Sequence, residues 1–186
     1  DPVCQQQHSG DVLSQEVAAK DGKLQYVLVY IKEGVQGSYP APQTPVVLDQ
    51  KGCLYEPHVF GIQAGQPLEI RNSDPTLHNI HSMPKKNNPF NFGQSKAGME
   101  DEKSFDEPEM AIPVKCDVHS WMGAWIFVMS HSWFAVSGED GSFTIKDVPA
   151  GKYTVEAWHE KLGTKSVEVT IEADKAADAK LEFAAQ

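Results

Sequence analysis

An all-β fold is predicted by three features of this 186-residue chain. Residues 152–158 and 165–172 alternate with a period of two: Tyr153, Val155 and Ala157, then Val167, Val169 and Ile171 against Glu168 and Thr170. That is the pattern of strands half-buried on one face. Gly- and Pro-bearing turn signals separate the apolar runs, at residues 34–44, 63–67, 138–141 and 148–151. The third feature is residues 24–32, apolar on both faces, which read as a central strand covered from both sides.

Taken in order, residues 24–32 are followed by a Gly/Pro-rich loop. Residues 59–62 and 68–71 flank Gln63-Ala64-Gly65-Gln66-Pro67 and read as a hairpin. Residues 84–108 show no clear periodicity, and so long a loop is expected to be functional or mobile. Residues 111–115 read as a strand, and the apolar run 124–129 as the strand that returns the chain to the core. From residue 134 a strand–turn series begins: 134–136, a turn at 138–141, 142–145, a turn at 148–151, then the two alternating strands.

The length permits one large or two small domains with a real core. A net charge of −10 without a basic stripe argues against nucleic acid as a partner. No apolar run is long enough for a transmembrane segment. The start, Asp1-Pro2-Val3-Cys4, reads as that of a processed chain from which a signal peptide is absent. Acidic residues gather at Glu100-Asp101-Glu102, Asp106-Glu107 and Glu109, with Lys103 among them. They read as a solvated loop, and in a redox carrier such a patch steers a basic partner.

The motif that carries chemistry is Cys116-Asp117-Val118-His119-Ser120-Trp121-Met122, a Cys-x2-His-x2-Met run, with His78 beside Asn79 upstream. One thiolate, two imidazoles and one thioether form the donor set of a type 1 (blue) copper site, His2Cys in a plane with a weak axial Met. The thioether discriminates, because structural zinc sites take Cys, His and carboxylate. Each residue alone has a plainer reading: a lone Cys is a small buried hydrophobe, and a lone Met fills a core. A Cys–His pair also serves acyl transfer, but that chemistry wants an oxyanion hole and usually a helix start, whereas 111–115 reads as a strand. A catalytic second copper would have to recruit His8, His58, His131 or His159, and the chain has no His-x-His pair and no second copy of the motif.

With Cys116 given to copper, Cys4 and Cys53 remain, both in turn-rich segments, and a disulfide between them is expected. The alternatives are two free thiols or a lipid anchor on Cys4. A disulfide implies an oxidising compartment, periplasmic or extracellular.

Residues 55–130 resemble the cupredoxins, and the ligand loop resembles that of amicyanin and, more broadly, plastocyanin. Leu77-His78-Asn79-Ile80-His81 is similar to the family's Pro-His-Asn-Val-His stretch, with leucine in place of proline. The resemblance implies a Greek-key β-sandwich with one type 1 copper on His78, Cys116, His119 and Met122, and single-copper electron transfer rather than enzymatic turnover. It implies that Asn79 hydrogen-bonds near the thiolate or ties the two ligand loops together. His81 competes with His78 for the ligand role; the alignment favours His78 and leaves His81 as a supporting or surface group. It further implies that His119 is the more exposed ligand and the electron's exit. Val118, Trp121, Met83 and Pro84 then form an apolar docking patch for a redox partner protein such as a cytochrome or an oxidoreductase. Short loops of this kind resemble those whose histidine leaves the reduced metal on protonation, so a potential that rises as pH falls is expected.

The stretch from Asp140-Gly141-Ser142-Phe143-Thr144-Ile145 through Val148-Pro149-Ala150-Gly151-Lys152-Tyr153-Thr154-Val155 resembles the carboxypeptidase regulatory-like (transthyretin-like) β-sandwich, one residue short between Asp and Phe. Residues 131–186 then form an additional small β-sandwich module, with residues 24–32 of the N-terminal segment 1–54 completing it. The rival is one enlarged cupredoxin sandwich. Two other functions compete with electron transfer. A copper-delivery or storage protein more typically shows a Met-rich segment, whereas the five Met here are scattered. The other is a copper-bearing structural subunit of a larger redox complex or enzyme.

Overall fold

A computed structural model describes residues 1–184 of the chain. Along it run α1 (Pro2–Gln6), β1 (Ala19–Lys20), β2 (Lys23–Leu24), β3 (Leu28–Glu33), β4 (Val46–Lys51), β5 (Leu54–Glu56), β6 (Val59–Gln63) and β7 (Leu68–Asn72). There follow β8 (His78–Ser82), β9 (Asn91–Gln94), β10 (Met99–Lys103), β11 (Glu109–Lys115), β12 (Gly123–Met129), β13 (Phe134–Val136), β14 (Gly151–His159) and β15 (Gly163–Ile171). The fold is all-β, a β-sandwich architecture with one short helix among the described residues. The chain divides into two compact units. One holds Asp1–Leu13 and Tyr39–Ser132, the other Ser14–Ser38 and the chain from Trp133 onward. Residues 1–13 and 39–54, read above as part of an N-terminal segment, thus lie with the first unit.

The first unit is built from two sheets, β10-β7-β4-β5 and β6-β12-β11-β8-β9. Their inward faces supply one core, from Leu48, Leu68 and Ile70 on one sheet to Ile62, Ile80, Ile112, Val114 and Ile126 on the other. The period-2 rule decides who faces it. On β8, His78, Ile80 and Ser82 are buried while Asn79 and His81 lie on the other face. On β11, Ile112 and Val114 point in, and Cys116 continues that parity one residue beyond the strand. At Ala111 (φ 52°) the β11–β12 register shifts, a bulge that places Glu109 on a buried position. Its carboxylate accepts the backbone N–H of Lys85, Lys86 and Asn87 and so fixes the segment after β8.

The second unit holds a four-stranded sheet, β13-β3-β14-β15, and the two-stranded β1-β2. β3 lies between β13 and β14, with Leu28, Val29, Tyr30 and Ile31 all buried; the one strand expected over residues 24–32 is broken at Tyr26 (φ 61°), so that Leu24 ends β2 and only the run from Leu28 is central. β14 and β15 pair over their full length.

Three expectations are corrected. β6 and β7 are not a hairpin: β6 pairs in parallel with β12, and β7 joins the other sheet beside β4 and β10. Residues 63–67 turn the chain from one sheet to the other; a turn signal says nothing about which sheet the next strand enters. Residues 84–108 are not a structureless loop, since they contain β9 and β10, each at the edge of a sheet. An edge strand with a polar outer face lacks strong apolar alternation, and Glu100-Asp101-Glu102 belong to such a strand. Residues 142–145 form no strand; there the Asp140 carboxylate instead takes the backbone N–H and hydroxyl of Ser142.

Candidate metal centre

The centre forms where β8 begins and where β11 passes to β12. Lys115 pairs with Gly123, so residues 116–122 make a tight connection between antiparallel neighbours. Two backbone bonds close it: Cys116 N–H to the Met122 carbonyl at 3.2 Å, and Met122 N–H to the His119 carbonyl at 3.0 Å. The loop turns Cys116 and His119 toward His78. Nδ1 of His78 and Nδ1 of His119 lie 3.0 Å apart, and Cys116 Sγ lies 3.9 Å from His119 Nδ1. One donor atom from each of the three residues falls within 4.8 Å of the others, and all three residues are buried. Met122 is buried in the same core cluster as Cys116.

Each imidazole turns its other nitrogen to a carboxylate. His78 Nε2 is 2.8 Å from Asp74 Oδ2, and His119 Nε2 is 3.3 Å from Asp1 Oδ2. With Nε2 of each ring turned to a carboxylate, each Nδ1 faces the space beside the sulfur, and it offers a lone pair there once it carries no proton. Asp74 was not picked out from the sequence. It accepts the backbone N–H of Gly52 at 2.9 Å and of Cys53 at 2.7 Å, at the tip of the β4–β5 hairpin. Gly52 and Cys53 both have positive φ (63° and 54°), the geometry of a two-residue hairpin turn. Burial works against the Asp74 carboxylate. The N–H of Cys53, the His78 ring and the N–H of Gly52 outweigh it and hold its pKa below the ordinary range.

Around the thiol the balance is similar. Burial pushes Cys116 up, but bonds from His78 and from the backbone N–H of His119, Asn79 and Val118 prevail and bring it down to about 6. Burial would lower His78, yet its bonds to Cys116 and Asp74 raise it above the usual imidazole value. Asn79 acts at two levels. Its N–H donates to Cys116 Sγ (3.4 Å), and its side-chain oxygen accepts the N–H of Asp117 (3.0 Å). Its amide donates to Asn91 Oδ1 and the Phe92 carbonyl, tying β8, β9 and the ligand loop together. The Tyr55 hydroxyl donates to the Asn79 carbonyl. His81 sits on the opposite face of β8, half-buried, with Nδ1 3.0 Å from Asp117 Oδ2.

His119 departs from the expectation. It is not an exposed ligand: it is 2% exposed, because α1 lies over its Nε2 edge. Cys4 Sγ is 3.8 Å from that nitrogen, and Cys4 is bonded to Cys53, so the helix is fastened over the loop. His8, expected at the surface, is half-buried, with Nε2 2.6 Å from the Gly52 carbonyl. Of the docking residues, Val118, Trp121 and Met83 are exposed and Pro84 is half-buried. The other histidines are spent locally. His58 Nδ1 donates to the Gly123 carbonyl, and in the second unit His159 Nδ1 accepts the N–H of Lys161 and Leu162.

Residues 124–186 match the sequence model of the ER membrane protein complex subunit 7 β-sandwich domain. No curated protein matches the chain. Among solved structures, a copper-containing nitrite reductase (NirK) from Thermus scotoductus SA-01 is 21% identical over 55% of this chain and 25% of its own, with a TM-score of 0.40. An amicyanin variant in its Cu(I) form is 16% identical over 54% of this chain and 98% of its own, TM-score 0.41. A purple cupredoxin from Nitrosopumilus maritimus is 25% identical over 41% and 82%, TM-score 0.36. The chain thus spans a quarter of the nitrite reductase's length.

Proposed function

We propose that this chain is a single-copper, type 1 electron-transfer protein, in which His78, Cys116 and His119 would be the strong ligands and Met122 a weak fourth one. The observation that carries the reading is the convergence of two imidazole nitrogens and one thiol, all buried, within 4.8 Å of one another. Two imidazole nitrogens and a thiolate gathered at one buried place suit a soft cation, and the thioether of Met122, in the same core cluster as Cys116, suits copper in both oxidation states. Copper, when bound, supplies a one-electron couple. The chain's residues do the rest. Asp74 and Asp1 hold the imidazoles in one orientation. The N–H groups of Asn79 and His119 donate to the sulfur and withdraw charge from it. Holding a metal there would need Cys116 as its thiolate and the His78 nitrogen that faces it without a proton. Ligands rooted in β8 and in the closed β11–β12 connection stay in place when the charge changes, which keeps reorganisation small.

A second reading is a copper-bearing subunit of a larger assembly. The match of residues 124–186 to a domain of a membrane-complex subunit favours it. Both readings take the Cys4–Cys53 disulfide as the mark of an oxidising compartment. In neither does the carboxypeptidase regulatory-like resemblance of residues 131–186 add an activity.

Adding Cu(II) should produce an intense visible thiolate-to-copper band and a narrow EPR hyperfine splitting, and Cys116→Ser should abolish both. A band that survives that substitution sinks the reading. A delivery or storage protein would instead show exchangeable Cu(I) and no reversible couple.

A further inference from the structure

Nδ1 of His119 faces His78 and Cys116, and the opposite edge of the ring carries Nε2. Here that edge faces inward. Asp1 Oδ2 stands 3.3 Å from Nε2 and Cys4 Sγ 3.8 Å from it. The covering segment is held at several independent points. Asp1 Oδ1 accepts the N–H of Val3 (2.7 Å) and Cys4 (3.2 Å), capping α1 and aiming its second oxygen at the ring. Cys4 is bonded to Cys53 at the tip of the β4–β5 hairpin, and His8 reaches the Gly52 carbonyl of the same tip.

That same tip positions Trp121. Its indole N–H donates to the Cys53 carbonyl at 3.1 Å. The indole ring lies 5.1 Å, centroid to centroid, from the His119 ring, and Trp121 is 53% exposed. Val118, in the same loop, is also exposed. An indole that touches a buried ring on one side and water on the other is continuous from interior to surface. It also offers the flat apolar contact that docking interfaces favour.

We propose that the disulfide-anchored N-terminal segment closes the His119 edge and that electrons pass instead through the exposed indole of Trp121. The inference rests on the copper reading above. The step is outer-sphere: the reduced protein loses one electron, a one-electron acceptor gains it, no bond breaks and no proton moves. Electronic overlap decays with the gap to be crossed, and the indole face is the shorter gap once α1 covers the imidazole.

The test uses the full copper-loaded chain, oxidised in stopped flow by tris(phenanthroline)cobalt(III), a substitution-inert acceptor with an apolar rim. Trp121→Leu should slow oxidation by at least about tenfold, the effect of losing one aromatic anchor from a contact. Trp121→Phe should recover most of the rate. Cys4→Ser with Cys53→Ser, which frees α1, should restore the rate in the Trp121→Leu background by reopening His119. A readout without metal accompanies it: diethyl pyrocarbonate should spare His119 in the metal-free parent and label it in the Cys4→Ser, Cys53→Ser variant. Equal rates for the parent and Trp121→Leu overturn the port, and rapid labelling of His119 in the parent overturns the cap. The visible Cu(II) band, recorded for every variant, separates the two levels. Its absence from the parent itself would remove the copper reading, whereas a retained band with unchanged rates removes only the port.

Discussion

His78 and His81 lie three residues apart on one strand, yet their environments are opposite. His78 shares the inward parity of Ile80 and Ser82 and is 0% exposed, whereas His81 faces Asp117 on the outer side. His78→Ala should therefore abolish tight Cu(II) binding and His81→Ala should largely preserve it, as read by competition titration; a reversed pair would hand the ligand role to His81. Asp74 links His78 to the hairpin tip. Asp74→Ala should weaken copper binding by about 10- to 100-fold, the usual cost of removing the partner of a ligating histidine. It should also destabilise the metal-free protein by about 1–3 kcal/mol for the buried Cys53 N–H left unpaired, and by less for the half-buried one of Gly52. Unchanged affinity would make Asp74 a turn residue only. Much of this was legible beforehand. The Cys-x2-His-x2-Met spacing pointed to three of the proposed donors, and the resemblance to the family's His-Asn stretch favoured His78 over His81, which the strand's alternation about Ile80 now separates. Asp74 was missed because a carboxylate four residues before a histidine has no meaning until a hairpin tip from elsewhere needs its oxygens.

Among the elements, the strands with the clearest alternation were the most legible, and those at sheet edges the least. β14 and β15 follow their apolar pattern closely, whereas β9 and β10 have little apolar alternation to follow. The close approach of β3 to β14 depends on one glycine. Gly34 follows β3 with φ +100°, and a Cβ there would lie 2.6 Å from the Lys152 carbonyl oxygen and 2.8 Å from Tyr153 Cδ1. Gly34→Ala meets both the backbone strain and the collision. It should lower stability by more than about 1 kcal/mol in urea unfolding; a neutral result would mean that the β3 end relaxes freely. The helix α1 is the element that sequence reading did not foresee. Five residues after an aspartate are too few to show an amphipathic period, and the disulfide gives the helix its place.

Across the molecule, both units rely on buried carboxylates kept ionised. In the first, Glu109 is penalised by burial but held low by the N–H groups of Lys85, Asn87 and Lys86 and the Asn87 side chain. In the second, Glu156 is likewise penalised by burial and held low by Lys32, Tyr30 and Ser166. A carboxylate whose folded pKa is lowered contributes stability that is present above its unfolded pKa and is lost as pH falls through the folded value. Acid destabilisation of the metal-free protein should therefore set in below about pH 4.5 and steepen from there. Glu109→Gln and Glu156→Gln should each flatten the fall of the urea midpoint with pH in that range. An unaltered slope in either variant would remove that carboxylate from the account.

The amino-acid sequence alone determined the all-β class and the donor types, because both are local. Alternation assigns faces within a strand, and seven consecutive residues carry a thiolate, an imidazole and a thioether. Which sheet receives β6 and which receives β7, and what covers His119, were decided only by the tertiary structure. Period two says which side of a strand is apolar, not which strand lies beside it. The contact that buries His119 joins residues 118 positions apart, and its partner is a carboxylate that a disulfide brings to the imidazole. Nothing in the neighbourhood of either residue encodes that meeting.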